Sequence, residues 1–239
     1  MTLETSGLIL VVALVLGIEH AFDPDHVIAL TSIVCNVKSV KKSLFLGTIW
    51  GLGHSVTVLI AGVLVVALRV AIPPGVTQIF EIVAGLLLIA LGLFVVRDLL
   101  HERHHLSSVD EASHSHSNVE HDDHTHENGG HGQVHGHSHE QKSLVSGIVQ
   151  GLGGSAAIML VTLSTVTSTL IGLVFIVVFC AGVIMGMVIF GAVIGGFLKY
   201  TMTNVNKVHR AILVVTASLG IGLGAFIAIS AILFGSSIL

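Results

Sequence analysis

From Ser6 to Val37 the chain is hydrophobic or small and uncharged, save for Asn36 and one stretch of eight residues, Glu19-His20-Ala21-Phe22-Asp23-Pro24-Asp25-His26. That stretch packs three acids, two histidines and a proline into an apolar run. A central charge at membrane depth costs roughly 2.5–3.5 kcal/mol on insertion scales. Five ionisable groups in eight residues therefore need a partner, and a cation supplies one. The membrane is the relevant solvent because only 10% of the 239 residues are charged and 53% are hydrophobic, with a mean hydropathy of +0.95. A soluble domain carries about 25% charged residues. Apolar runs longer than about 18 residues recur along the chain, so the expected fold class is an all-α polytopic membrane protein.

Six spans are expected. The first begins near Thr5 and passes through the charged stretch, the second runs from about Ser43 to Leu68, and the third from about Gln78 to Val96. The fourth starts near Ser143, the fifth covers Leu170 to Phe197, and the sixth Ala211 to Phe234. Because Glu4 and no Lys or Arg precedes the first apolar run, that run is expected to stay as a membrane helix rather than leave as a signal peptide. Nine of the ten Lys and Arg residues fall in the first, third and fifth connections, and Arg69 alone falls in the second. The positive-inside rule then puts those three connections in the cytoplasm of a multi-pass plasma-membrane protein, with both termini outside.

Three segments follow: residues 1–97 as a first three-helix unit, 98–142 as a connecting loop, and 143–239 as a second three-helix unit. The units resemble each other. Gly17 to Leu30 reads GIEHAFDPDHVIAL and Gly147 to Leu160 reads GIVQGLGGSAAIML. Each opens with Gly-Ile and has a helix-breaking centre. An odd number of spans per unit inverts the second copy, and paired interrupted segments point to a transporter's binding site.

The residues from Ser6 to Val37 would form one straight helix of about 48 Å, against a hydrocarbon core of about 30 Å. A break is cheapest at Pro24, whose ring clashes with the His20 carbonyl and cannot donate to it. On an unbroken helix His26 would lie about 120° around the axis from His20, so the imidazoles would diverge. Unwinding at Asp23-Pro24-Asp25 would bring both onto one ion. In the second span, Gly47, Gly51, His54, Ser55 and Gly62 share a stripe on which helix backbones can approach closely. That stripe carries His54 towards the first helix. Imidazole with carboxylate suits late first-row divalent ions, Ni(II) and Cu(II) in tetragonal sites, and zinc is compatible as well. The absence of nearby Cys or Met speaks against Cu(I). Trp50, Gly220, Gly222 and Gly224 read as packing residues, and Glu81 as interfacial.

His20-Ala-Phe-Asp-Pro-Asp25-His26 resembles the H-x4-D-H signature of the nickel/cobalt transporter family, and Gly51-Leu-Gly-His54-Ser55 resembles its Leu-Gly-His-Ser motif. The resemblance is close over the first two spans and general beyond them. It implies that His20, Asp25 and His26 are metal ligands on a transport path, with His54 beside them. Glu19, Asp23 and Ser55 are auxiliary candidates. The chain departs from long family members in having six spans rather than eight, Pro24 where Ala is usual, and no Asp-Thr-x-Thr-Glu motif in its second half. Gln150-Gly-Leu-Gly-Gly-Ser155 stands there instead, similar to short six-span members associated with urease maturation, which makes Gln150 and Ser155 candidates too.

Twelve histidines lie between His101 and His139, alternating with Ser, Gly and acids. The composition is that of a disordered tract, in which His114, His116, His124, His126, His135, His137 and His139 can bind divalent metals weakly and promiscuously. No phosphate-binding G-x-x-x-x-G-K-[ST] loop is present. The expected protein is a non-enzymatic permease carrying Ni²⁺, with Co²⁺ as second substrate, driven inward by the membrane potential. Its partners are the metal ion, the lipid bilayer and a cytoplasmic metallochaperone, with no nucleic acid and no organic cofactor. The alternatives are export by proton antiport, a thiol-redox enzyme using Cys35 and Cys180, and a sensor or store built on the loop.

Overall fold

The computed structural model describes residues 3–67, 73–111, 136–151, 153 and 168–234, and every regular element among them is a helix. They are α1 (Leu3–His20), α2 (Pro24–Val34), α3 (Val40–Val66), α4 (Pro74–Glu111), α5 (Gly136–Gln150), α6 (Thr169–Asn204) and α7 (Asn206–Phe234). Helices α3, α4, α6 and α7 are each long and apolar enough to cross a membrane, and α1 with α2 makes a fifth crossing if the two are taken as one span bent by 54°. The fourth expected span starts in α5 and continues into residues outside those described.

The apolar residues divide into two sets. Trp50, Leu30, Leu46, Leu88, Ile176 and Met187 are wholly buried between helices. Leu8, Phe45, Ile60, Leu86, Val193 and Phe226 are exposed around the outside. A soluble monomer rarely leaves so much contiguous apolar surface in water, whereas lipid is its natural solvent.

Close approach of backbones sets the helix directions. The expected glycine stripe of α3 is buried against α6: Gly47 abuts the Met187 carbonyl, the Ser55 hydroxyl donates to Cys180 O at 3.3 Å, and Gly62 meets Ile176. The order of those contacts makes α3 and α6 antiparallel. Helices α4 and α7 are antiparallel as well, with Gln78 Nε2 donating to Ala231 O at 2.9 Å and Gly92 against Ala217. By contrast α5 runs parallel to α3, through Ser143 Oγ to Leu46 O (2.6 Å), Trp50 Nε1 to Ser146 Oγ (3.3 Å) and Thr57 Oγ1 to Ile148 O (3.1 Å). Helix α1 runs parallel to α6, with Gly182 against Leu14 and Gly186 against Ala21.

Two boundaries differ from the sequence reading. The unwound residues are 21–23, not Asp23-Pro24-Asp25, and Pro24 and Asp25 already belong to α2. Proline is well placed at the start of a helix, where its missing N–H has no partner to lose. The second difference is that α4 continues to Glu111 and α5 begins at Gly136, so helix enters the histidine-rich tract (98–142) from both ends. Hydropathy marks where a helix leaves the apolar phase; backbone bonding continues past that point.

Candidate metal centre

The break between α1 and α2 is a tight turn. Phe22 N donates to Glu19 O at 2.9 Å and Asp23 N to His20 O at 3.1 Å, so the His20 carbonyl, expected to be orphaned, is satisfied within the turn. Asp23 caps α2 by position, its carbonyl accepting from His26 N and Val27 N at 3.0 Å each, but its side chain makes no capping bond. The carboxylate instead faces back, with Oδ2 at 2.9 Å from His20 Nδ1. Asp25 Oδ2 lies 3.0 Å from His26 Nδ1, short for the pair although off the hydrogen-bond direction.

The turn brings His20 and His26 together, and α3 supplies His54. His20 Nε2 is 3.1 Å from His54 Nε2 and 3.3 Å from His26 Nε2. All three imidazoles are buried, His54 and His26 at 0% and 1% exposure. A cation held by nitrogen ligands at about 2.0–2.1 Å in tetrahedral geometry spaces them by about 3.3–3.4 Å, close to the separations here. A second group, Asp23, Asp25 and His26, also has ligand atoms within 4.8 Å of one another and shares His26 with the first. The two groups therefore adjoin, one of three imidazoles and one rich in carboxylate.

The expected site residues divide accordingly. His20, Asp25, His26 and His54 are gathered at the break, with Asp23 beside them. Glu19 is exposed and belongs to neither group. Ser55 is committed to the contact with Cys180. Gln150 is buried at the end of α5, whereas Ser155 lies outside the described residues, as do His114, His116, His124, His126 and His135. His137 falls in α5, and nothing of its side chain is described. His139 is docked with Nδ1 at 3.2 Å from Ile33 O, near the end of α2, and burial holds its imidazole below the ordinary histidine range.

Trp50 is fully buried in the core, as its packing reading expects, and it also lies against the histidines. Its ring stacks on His54 at 5.1 Å and 17°, and lies 4.7 Å from His26. Phe179 of α6 flanks His20 at 5.5 Å. These rings exclude water from the imidazoles. The only sequence signal for Trp50 was its place one helical turn before His54.

Three buried histidines backed by carboxylates, among helices long and apolar enough to cross a membrane, make a donor set that could hold a divalent transition metal. Residues 7–236 match the model of the NicO family, described as high-affinity nickel-transport protein, and the chain belongs to that family. It is a family of transporters and not of enzymes. The chain is 33% identical over 219 residues to the "Urease accessory protein UreH" of Bacillus sp. (strain TB-90), covering 87% of this chain and 85% of that one. It is also 29% identical over 98 residues to the "Putative nickel/cobalt efflux system MJ1092" of Methanocaldococcus jannaschii, covering 40% of this chain and 46% of that one. No solved structure matches.

Proposed function

We propose that the protein is a permease carrying Ni²⁺, and Co²⁺ as second substrate, across the plasma membrane into the cytoplasm, with the ion held at the break between α1 and α2. The observation that carries this reading is the convergence of the His20, His26 and His54 Nε2 atoms in the middle of the bundle. The ion loses water first to Asp23 and Asp25 and then to the imidazoles, and His26 belongs to both groups. Moving a divalent ion inward down about 150 mV releases roughly 7 kcal/mol, enough for a gradient of about 10⁵-fold without nucleotide hydrolysis.

The architecture we infer is six spans in two inverted three-span units: α1 with α2, α3 and α4 in one, α5 with the residues after it, α6 and α7 in the other. The helix pairings support it, since exchanging the halves turns the parallel pair α1–α6 into the parallel pair α5–α3. It also maps the antiparallel pairs α3–α6 and α4–α7 onto themselves. Gly17 and Gly147 make matching contacts, one on the Phe179 carbonyl and the other on the Trp50 carbonyl.

The histidine-rich loop faces the cytoplasm in this reading and gathers the ion at the inner mouth, where His139 meets the end of α2. From there a cytoplasmic metallochaperone collects it for a nickel enzyme, in keeping with a relative described as a urease accessory protein. The second reading is export by proton antiport, favoured by the relative described as an efflux system. Cells overproducing the protein decide between them. Import makes them hypersensitive to nickel and raises accumulation, and export makes them resistant. Accumulation unchanged in both His20→Ala and His26→Ala variants would sink both readings.

A further inference from the structure

The three imidazoles are unequally supported. His20 Nδ1 has the Asp23 carboxylate at 2.9 Å, and His26 Nδ1 has that of Asp25 at 3.0 Å, close enough to pair in charge although off the hydrogen-bond direction. His54 Nδ1 is buried with no hydrogen-bond partner among the described residues. A histidine that gives Nε2 to a metal carries its proton on Nδ1, and that N–H needs an acceptor to hold the ring's tautomer and direction.

One buried polar side chain is similarly unmatched. Gln150 is 1% exposed, and neither its Oε1 nor its Nε2 has a partner among the described residues. Ser143, Ser146, Gly147 and Gln150 share one face of α5, at the spacing that stacks side chains over successive turns. That face lies along α3: Ser143 bonds Leu46 O, Ser146 accepts from Trp50, and Gly147 packs onto the Trp50 carbonyl and the His54 backbone nitrogen. Because α5 and α3 run parallel, the next step along the face sets Gln150 level with His54. Gly151 confirms the level by packing on His54 O. Gln150 also closes α5 as His20 closes α1, three residues after the glycine of the Gly-Ile pair.

We propose that Gln150 is the positioning residue for His54: once metal occupies His54 Nε2, Gln150 Oε1 accepts the Nδ1 proton. This rests on the metal reading of the three histidines. Gln150 does for His54 what Asp23 does for His20, but without charge. The two aspartates alone then balance a divalent cation, and the second half of the chain steers the ion while adding no negative charge to hold it.

The test is Ni²⁺ binding to the full-length protein in detergent, by equilibrium dialysis with radioactive nickel. Gln150→Met keeps the volume and loses the acceptor, and a loss of affinity of about 10–100-fold is expected. Gln150→Glu keeps an acceptor oxygen and retains affinity. A side chain that merely fills space gives the opposite order, with Met tolerated and a buried Glu harmful. Undiminished affinity in Gln150→Met, or lost affinity in Gln150→Glu, overturns the assignment. If Gln150→Met does not fold, Gln150→Asn, whose amide is drawn back by one methylene, carries the same expectation. His20→Ala and His54→Ala are measured alongside. If they bind nickel like the parent, the centre itself has been misread; if they lose it and Gln150→Met does not, only the role of Gln150 falls.

Discussion

The Nε2 atoms of His20 and His54 stand 3.1 Å apart, although 34 positions of chain separate the two residues. Two neutral imidazoles can share one proton across that gap, and a metal ion can replace the proton. If both rings serve one ion, their contributions are not independent. His20→Ala and His54→Ala should each weaken Ni²⁺ binding by at least about 100-fold, and the double variant should be little worse than either single one. Fully additive losses in a binding cycle would mean the rings act on different ions.

Asp23 and Pro24 are neighbours with different duties. Pro24→Ala removes only the preset backbone angle at the start of α2, so it should cost about 0.4–1 kcal/mol of stability and leave uptake within about twofold. Asp23→Asn takes the charge from His20 Nδ1 and should lower nickel affinity by about 10–100-fold. Thermal unfolding and nickel binding on the two proteins separate the effects.

Gly147 is a second point of leverage. A Cβ there would run into the Trp50 carbonyl and come within 3.0 Å of the His54 nitrogen. Gly147→Val should destabilise by about 1–3 kcal/mol through overpacking, and should weaken metal binding by moving His54. Gly222 has nothing within 4 Å of the same position, and Gly222→Ala should be neutral or stabilising by up to about 1 kcal/mol. Melting temperatures in one detergent give the comparison.

The thiols should be dispensable. Cys35 and Cys180 are both buried, which keeps a thiol inert and out of reach of reagents. The Cys35→Ser, Cys180→Ser protein should transport nickel at the parental rate, and iodoacetamide should label the folded parent slowly. Loss of transport in the double variant would revive a redox role.

Charge in an apolar run was legible without coordinates, because the cost of burying it leaves few explanations. His20, Asp25 and His26 stood out that way and the glycine stripe pointed to His54, and the structure gathers the four at the break. The exact turn was not legible, since Pro24 is equally at home inside a kink or at a helix start. Trp50 is buried as a packing residue should be, but its stacking on His54 was not legible, because an aromatic at helical spacing reads the same whatever it packs against. The extension of α4 to Glu111 escaped because polarity says where lipid ends and nothing about where helical hydrogen bonding ends.

At the break, two half-helices meet end to end. Helix α1 presents its carbonyl end, which draws a cation, and α2 presents its amide end, which repels one. Asp23 at the cap of α2 and Asp25 in its first turn reverse the sign of that second end. The carboxylates are therefore stabilised by the helix they sit on before any ion arrives. With them in place both half-helices present negative charge at the break, beside imidazoles buried deeply enough for a charge to act at fuller strength than in water.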